Sequence, residues 1–462
     1  MKYKPVTTIL VLLVVVSRWY TADAEPDTAP ARLSLEEAIA CSASRNPTVM
    51  IENEKRTEAR STIKSARSEA FPQIRLEAYT GKYMDPGLLN SSSFSDFGDI
   101  PGFSLAPEAQ RTSSMSVNLS QSLFTWGRIP SAIAIARLQI RNTDLALDIA
   151  RLDIAAEVAL AYYQVLLFEE QQEALTTAVA TQREHVQITR DRFDVGDATR
   201  LDMLQAETAV KNLEPELIVA ATRVKLARNG LNLLLDLDME HQLQLTDSLR
   251  IDDGESIPPL VELQEAAIRR RPELRQIAVY TDMLKRQKKV VLSDLRPSLS
   301  LVGSWGYSVA DEENLFKHDY ESWSVGVSLS YPLFDGLRTN GSLGEIESRM
   351  RQQELTMHSA ERAIELEVKS AYEDLIAARE RCRAGKGALD QAREALRVAR
   401  ESYEIGVARQ IEVLDSERYE RQARLTLSVA KYDYLAAMIK LKHGTGLTLF
   451  QAFTEPVAVE GE

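Results

Sequence analysis

Strict alternation of apolar and small polar residues marks four segments of the chain as strands. The period of two is clearest at 114–124 and 323–333, recurs at 299–307, and is weakest at 74–79. Residues that alternate in this way lie on opposite faces of a strand. Each segment has about ten residues, the length that a tilted strand needs to cross a bilayer. The pattern therefore predicts two β-hairpins, one in each half of the chain.

One face of each predicted strand is apolar and the other is small and hydrophilic. The apolar faces hold Met115, Val117 and Leu119 in one strand, Leu299, Leu301 and Trp305 in another, and Trp323, Val325 and Val327 in a third. A membrane barrel alternates in this manner, and so does a soluble hairpin that packs on helices. Membrane barrels start at eight strands and cannot leave an open edge in lipid. If these four strands span a membrane, several chains have to share one barrel.

Long uninterrupted helical patterns occupy most of the remaining sequence. Neither proline nor glycine occurs between Pro130 and Phe193, and a helix of that span measures roughly 95 Å. A second such stretch runs from Leu343 to Tyr403, and we expect the glycines at 383–388 to break it. Apolar residues recur at steps of three and four, which is typical of long helices packed as coiled coils.

The chain consists of two copies of one sequence unit. The phrase RDRFDVGDATRLDMLQAE at 190–207 returns as RESYEIGVARQIEVLDSE at 400–417, 210 residues later, and proline pairs near the start of each copy are 225 residues apart. Each copy is predicted to contain, in order, a helix, a strand, a loop, a second strand, a long helix, a turn and a final helix. We assign a first repeat at 25–236, a linker at 237–260, a second repeat at 261–443 and a C-terminal tail at 444–462.

Glycine stands at the same place in both phrases. Gly196 follows one long helix and Gly406 follows the other, and a new helical pattern begins a few residues later. Glycine adopts the left-handed conformation that ends many helices. We therefore predict two helical hairpins whose tips lie at the end of the rod opposite the strands.

Composition narrows the class of protein. The 462 residues carry a net charge of −13, which argues against a general nucleic-acid binder. Residues 1–24 combine early lysines, an apolar run and a small-x-small site at Ala22-Asp23-Ala24, which predicts a signal peptide; an uncleaved anchor is the alternative. Two cysteines, Cys41 and Cys382, leave their pairing open. No catalytic motif or metal-ligand spacing stands out, so we expect no enzyme, cofactor or metal.

Several phrases together resemble one family. LSLEEAIACSASRNPTV at 33–49, RRPELR at 270–275, the strand ends LFTWG and LFDGLR, and the two tip phrases resemble the TolC-like outer-membrane efflux protein family in their order and spacing. The resemblance implies a mainly α fold with a membrane β-barrel. Four strands per chain would form a 12-stranded barrel in a homotrimer, above an α-helical tunnel in the periplasm.

The resemblance also implies a function. Such proteins are passive exit ducts in the outer membrane for tripartite efflux pumps or type I secretion systems, and they work with a periplasmic adaptor and an inner-membrane transporter. The alternative is a secreted soluble coiled-coil scaffold or adhesin. The sequence does not name the cargo.

Two sets of site residues follow from the resemblance. By motif position, the adaptor-docking residues are Val195, Gly196, Ile405 and Gly406, although both glycines also fit simple helix caps. The periplasmic gate of the family has a ring of carboxylates, which here correspond to Glu412 and Asp415, although a charged run is more often a solvated helix face. Relatives carry a gate arginine where this chain has Ala408. Arg409 or Arg200 is the expected substitute, pairing with Asp202, with a hydroxyl contributed by Tyr403.

Overall fold

A computed structural model of the chain describes residues 31–84, 109–251, 257–309, 318–451 and 453. The predicted signal peptide, most of the loop inserted in the first copy and the end of the predicted tail lie outside these residues. Among the described helices, none is both long enough and apolar enough to cross a bilayer.

The order of elements is the same in the two copies. The first copy consists of β1 (Ala31–Leu33), α1 (Leu35–Arg45), α2 (Pro47–Ser68), β2 (Gln73–Met84), β3 (Ala109–Phe124), α3 (Arg128–Asp194) and α4 (Arg200–Leu234). A short strand, β4 (Leu243–Leu245), follows. The second copy consists of α5 (Leu260–Arg270), α6 (Pro272–Ser293), β5 (Ser298–Val309), β6 (Glu321–Ser330), α7 (Arg338–Glu404) and α8 (Gln410–Gly444).

The single helix predicted at the start of each copy is wrong, because two helices meet there. The breaks fall at Asn46 and Arg271, whose ψ angles of 127° and 120° are extended. Each of them precedes a proline, and proline disfavours the helical conformation in the residue before it. Pro47 and Pro272 then occupy the first helical position, where the missing amide hydrogen costs nothing.

The break predicted at 383–388 is also wrong. α7 runs through this stretch without interruption, and α3 and α7 each have 67 residues, about 100 Å of helix. A Cβ built on Gly385 would lie 3.4 Å from the side chain of Leu427 in α8. Packing along the hairpin thus offsets the roughly 1 kcal/mol that each helical glycine costs.

All four long strands form one antiparallel sheet in the order β2-β3-β5-β6. The register places Leu76 opposite Val117, Val117 opposite Trp305, and Trp305 opposite Trp323. Residues directly opposite each other point to the same face of a sheet. The apolar faces predicted from the alternation therefore merge into one continuous face, on which Trp323 is 74% exposed.

Beneath the sheet the helices follow the same order. α2 packs on α3, α3 on α6, and α6 on α7, while α4 and α8 pair with the far ends of α3 and α7. Two equivalent cores result. Val158 and Leu231 are fully buried in the first copy, and their counterparts Val368 and Leu441 are fully buried in the second, 210 residues later. The two predicted internal repeats are thus confirmed.

Part of the segment predicted as a linker packs on the first core. β4 pairs in parallel with β1, and Leu243 and Leu249 are buried. The hydroxyl of Tyr162 in α3 lies 2.9 Å from the carbonyl of Leu33 and 2.8 Å from the carboxylate of Asp247. Burial and that carboxylate raise the pKa of Tyr162, so the phenol stays neutral and holds the β1–β4 pair against α3.

Candidate functional site at the hairpin tips

Both long helices end at the tips with a glycine in the same backbone conformation. Gly196 and Gly406 have φ angles of +89° and +76°. In the first tip the amide of Asp197 donates to the carbonyl of Arg192 (2.8 Å), and in the second the amide of Val407 donates to that of Ser402 (2.9 Å). Nothing lies within 4 Å of a Cβ built on either glycine. Glycine is therefore required by the left-handed backbone and not by crowding.

Apolar side chains beside these glycines face solvent. Val195 is 73% exposed, Ile405 is 77% exposed and Val407 is 78% exposed. Above them an open groove runs between α4 and α8, and its apolar lining includes Leu201, Leu204, Ile411 and Leu414. Exposed apolar patches that continue into a groove are typical of protein interaction sites. The predicted docking residues do not line this groove, but they lie in the two turns that precede α4 and α8, whose first helical turns do.

The helices that leave the two tips begin differently. Thr199 and Asp202 form a capping box, in which the carboxylate of Asp202 accepts from the amide (2.9 Å) and the hydroxyl (2.7 Å) of Thr199. α8 has no side-chain cap at Arg409. The predicted gate residue Asp202 therefore bonds within its own turn in this chain.

The predicted gate carboxylates each lie beside an arginine, one just before α8 and one on it. Glu412 accepts from Arg409 at 3.2 Å, and Asp415 lies 3.3 Å from Arg418. Both carboxylates are about half exposed. The structure thus brings Arg409 to Glu412 and not to Asp202, and exposed pairs of this kind are weak.

A buried polar contact joins the two hairpins just above the tips. The side chain of Gln410, which is 5% exposed, points its amide nitrogen at Nε2 of His185 (3.1 Å), Oγ1 of Thr189 (3.2 Å) and the carbonyl of Asp202 (3.5 Å). A carbonyl can only accept, and the Thr189 hydroxyl already donates to the carbonyl of His185. The amide nitrogen is therefore the donor, and Nε2 of His185 has to be an acceptor. The contact requires a neutral His185.

The surroundings of His185 favour that neutral form. Burial lowers its pKa below the usual value, and the cations Arg192 and Arg400 lower it further, while Glu417 raises it. Tyr403, a predicted gate residue, lies on the same contact: its ring is 6.3 Å from His185, and the guanidinium of Arg192 stacks on it at 4.9 Å. Two predicted gate residues, Tyr403 and Asp202, therefore meet at this junction.

Sequence reasoning missed four residues of this contact, namely His185, Thr189, Arg192 and Gln410. A signal was present in the comparison of the two copies. The corresponding residues 210 positions away are Ala395, Ala399, Ser402 and Arg200, so the copies differ at every one of these places. The contact therefore has no counterpart at the equivalent positions of the other copy.

Comparison with known protein families identifies the family of this chain. The chain matches the family described as Outer membrane efflux protein over residues 40–236 and 263–447, which is well over half of its length. The chain belongs to the outer membrane efflux protein family. The resemblance predicted from the sequence is confirmed, and the two matched segments fall one in each copy.

Individual relatives in the outer membrane efflux protein family align with different shares of this chain. It is 27% identical to the alkaline protease secretion protein AprF of Pseudomonas aeruginosa over 67% of its own length and 65% of that protein. It is 23% identical to the outer membrane protein TolC of Vibrio cholerae over 85% of each chain. The crystal structure of the outer membrane protein VceC of Vibrio cholerae covers 90% of this chain and 96% of its own, with a TM-score of 0.72 and 18% identity. That likeness shows the fold.

Membership of the outer membrane efflux protein family places this chain in the outer membrane as a channel protein. The predicted location and the predicted function of an exit duct are thereby confirmed. The family consists of channels and not of enzymes.

A second contact, which is charged, joins the copies of this efflux protein at the opposite end of α8. Nε2 of His443 lies 2.7 Å from the carboxylate of Asp153 in α3, and Nδ1 lies 3.7 Å from that of Glu367 in α7. Arg271 also bonds to Glu367 at 2.8 Å. Hydrogen bonding to Glu367 and Asp153 raises the pKa of His443. The charged form of His443 therefore links α3, α7 and α8.

Proposed function

We propose that three copies of this chain form a passive exit duct that receives cargo from a periplasmic adaptor and an inner-membrane transporter at the hairpin tips. The observation that carries the proposal is the sheet. Its four described strands have a continuous exposed apolar face and two open edges, and the sheet is attached to helices about 100 Å long. Such a sheet needs lipid on its apolar face and a neighbour at each edge.

Strand direction supports closure by copies of the same chain. β2 and β5 run away from the helices, and β3 and β6 return, so the edge strands β2 and β6 point in opposite directions. β6 of one copy can therefore continue the antiparallel ladder with β2 of the next. Three copies give 12 strands, which exceeds the eight at which membrane barrels begin. The polar face, with its serines, then lines the lumen.

The tips support docking of an adaptor. Val195 and Ile405 expose apolar side chains beside Gly196 and Gly406, and the groove between α4 and α8 opens next to them. One relative named above is a secretion protein, and another relative is an antibiotic efflux pump outer membrane protein. The proposal therefore names the duct and its partners, and no cargo. The conduit carries no reaction of its own, and its energy comes from the transporter.

Disulfide crosslinking between neighbouring sheets tests the assembly. In a chain from which Cys41 and Cys382 have been removed, Arg75→Cys on β2 is combined in turn with Ser324→Cys and Ser328→Cys on β6. We expect oxidation of outer membranes to convert one of these pairs into covalent trimers on a denaturing gel, while each single variant stays uncrosslinked. Monomers alone with both pairs, in a protein that is also monomeric by mass, would contradict the proposal.

A further inference from the structure

A strongly basic groove lies between α3 and α6, close to the point where the strands begin. We call it the α3–α6 groove. Arg137 of α3 and Lys285, Arg286 and Lys289 of α6 line it, together with the single carboxylate of Asp282. All four cations are exposed, and only Lys285 is bonded to Asp282, at 2.8 Å. The groove therefore has a net charge of about +3.

The other three cations of the groove are not neutralised within the described part of the chain. Arg137, Arg286 and Lys289 form no ion pair there. This is notable in a protein whose net charge is −13. The first turns of α3 also carry an excess of positive charge, because residues 128–143 contain three arginines and no carboxylate. Positive charge is thus concentrated at the membrane end of these two helices.

The groove opens on the outer side of the helical layer. Arg137 precedes Tyr162 on α3 by close to seven helical turns, so the two side chains leave the helix on about the same face. Tyr162 contacts the β1–β4 pair, which packs on one side of the layer together with α1. We place the tunnel of the proposed trimer on the other side, because this side carries the β1–β4 pair and α1. The cations therefore face the periplasm and the inner surface of the membrane.

Apolar side chains follow the cations toward the sheet. Further along α6 and in the turn after it, Leu292 is 40% exposed and Leu295 is 43% exposed. Trp126 is 44% exposed and lies against the same turn, where the guanidinium of Arg296 stacks on its ring at 5.0 Å. Lys285 lies about 10 Å below Leu292 at 1.5 Å per residue. The polar zone on each side of a bilayer is about 5–7 Å thick, and long cationic side chains extend several ångströms toward it. The order of charges and apolar groups matches that of a phospholipid headgroup and its acyl chains.

Assembly leaves the groove open. α3 and α6 are the two central helices of the layer, between α2 and α7, and they continue into the central strands β3 and β5. Neighbouring copies join at the outer edges, through β2 and β6. No partner copy is thus required to cover the groove, and its charge faces whatever surrounds the duct.

We propose that the α3–α6 groove binds the phosphate of an anionic phospholipid in the periplasmic leaflet, with the acyl chains against Leu292, Leu295 and Trp126. This rests on insertion of the sheet into the outer membrane and is independent of adaptor docking. Three bound lipids around the duct fix its depth in the membrane. Cations near an anionic membrane surface each strengthen binding about fivefold.

Lipid binding to the detergent-solubilised full chain tests the proposal by native mass spectrometry. The test variant is Arg137→Gln/Arg286→Gln/Lys289→Gln. A matched control, Arg379→Gln/Arg383→Gln/Lys386→Gln, removes the same charge from exposed positions on α7 that lie about 60 Å from the start of that helix. A third variant, Arg137→Lys/Arg286→Lys, keeps the charge. The probes are phosphatidylglycerol, phosphatidylcholine and free glycerol 3-phosphate.

We expect the unmodified chain and the control to retain phosphatidylglycerol in preference to phosphatidylcholine. The test variant should lose that preference by on the order of 100-fold, and the lysine variant should keep it. Equal retention by the test variant would overturn the proposal. So would binding of glycerol 3-phosphate as tight as that of the lipid, because the site would then recognise a free phosphate. Failure of the duct itself would appear separately, as absence of the unmodified chain from outer membranes.

Discussion

At the residue scale, Gln410 is the side chain that ties the second hairpin to the first near the tips. Its amide nitrogen has three acceptors, one of which is a neutral His185. Protonation of His185 would place a donor against a donor and add charge beside Arg192 and Arg400. The junction is therefore sensitive to pH, because a charged imidazole cannot keep the bond from Gln410.

Acidification should loosen this junction. Burial lowers the pKa of His185, so its contact is fully present above the ordinary value of 6.5 and is lost as the pH falls through the lowered pKa. Besides Arg192 and Arg400, the groups that face His185 are Tyr403 and Glu417.

We expect the conductance of single channels in planar bilayers to rise on acidification. His185→Gln, whose side chain can still accept from Gln410, should reduce that rise. His358→Gln, at an exposed position on α7, is the control. An unchanged pH response in His185→Gln would refute the role of this residue.

Replacement of Gly406 separates helix capping from adaptor docking. Asparagine tolerates the left-handed backbone with a small side chain, whereas tryptophan adds bulk to an exposed tip. We expect Gly406→Trp to abolish transport while trimers remain in the membrane, since loss of a docking contact costs about 2 kcal/mol or more. Gly406→Asn should retain most transport. Full transport by Gly406→Trp would show that no partner approaches this glycine.

The predicted gate carboxylates are tested by ion block. Glu412 and Asp415 from three copies would place six carboxylates around one axis, where they concentrate multivalent cations. We expect Glu412→Gln/Asp415→Asn to weaken block of the channel by such cations by about tenfold. Glu354→Gln/Asp390→Asn, at exposed positions on α7, provides a control with the same change of charge. Equal block in the test and control variants would assign Glu412 and Asp415 to a solvated helix face.

At the scale of elements, helix continuity through Gly385 and Gly387 is the main departure from what the sequence predicts. Two glycines within three residues weaken a helix by roughly 2 kcal/mol in total. α8 packs along the whole stretch, with Leu427 against Gly385. Packing against a neighbouring helix is not visible in local propensity, and here it decides the outcome.

Substitution at Gly387 should strengthen α7. A Cβ there would meet nothing within 4 Å, and its φ angle is not in the left-handed region. We expect Gly387→Ala to slow hydrogen exchange of the α7 amides around it, corresponding to about 0.5–1 kcal/mol of local stability. Gly406→Ala provides the opposite case, since its left-handed backbone is strained by any Cβ. Faster exchange in Gly387→Ala would indicate that α7 needs flexibility at this point.

Strands were easier to predict than helix breaks. A period of two is a local property, and the register then brought the four apolar faces to one side of the sheet. Gly306 shows a constraint that the pattern does not reveal. A Cβ on Gly306 would collide with the carbonyl oxygen of Met115, so only glycine allows β3 and β5 to approach at this point.

At the scale of the whole molecule, two histidines with opposite behaviour hold the copies together. His185 makes its contact near the tips as a neutral imidazole. His443 makes its contacts with Asp153 and Glu367 in the charged form. The raised pKa of His443 means that its contribution is fully present below 6.5 and is lost as the pH rises through the raised pKa. Stability at the two ends of α8 therefore depends on pH in opposite directions.

Removal of the partner of His443 tests this dependence. We expect Asp153→Asn to lower the free energy of unfolding by about 1 kcal/mol below the pKa of His443, since Asp153 is about half exposed. The difference should vanish in alkaline solution, where His443 is neutral in both proteins. Thermal unfolding of the trimer across that pH range measures the difference in stability, with Glu157→Gln on the same helix as control. A loss of stability that does not change with pH would point to packing and not to charge.

The sequence by itself determined the repeats, the four strands, the length of α3 and the turns at the tips. These depend on periodicity, on glycine and proline, and on internal similarity. Each can be recognised within one segment or by comparing one part of the sequence with another. Only the tertiary structure decided the continuity of α7, the junction of Gln410 with His185, the charged link at His443 and the basic groove between α3 and α6. Each of these depends on which residues far apart in the chain become neighbours, and packing alone sets that.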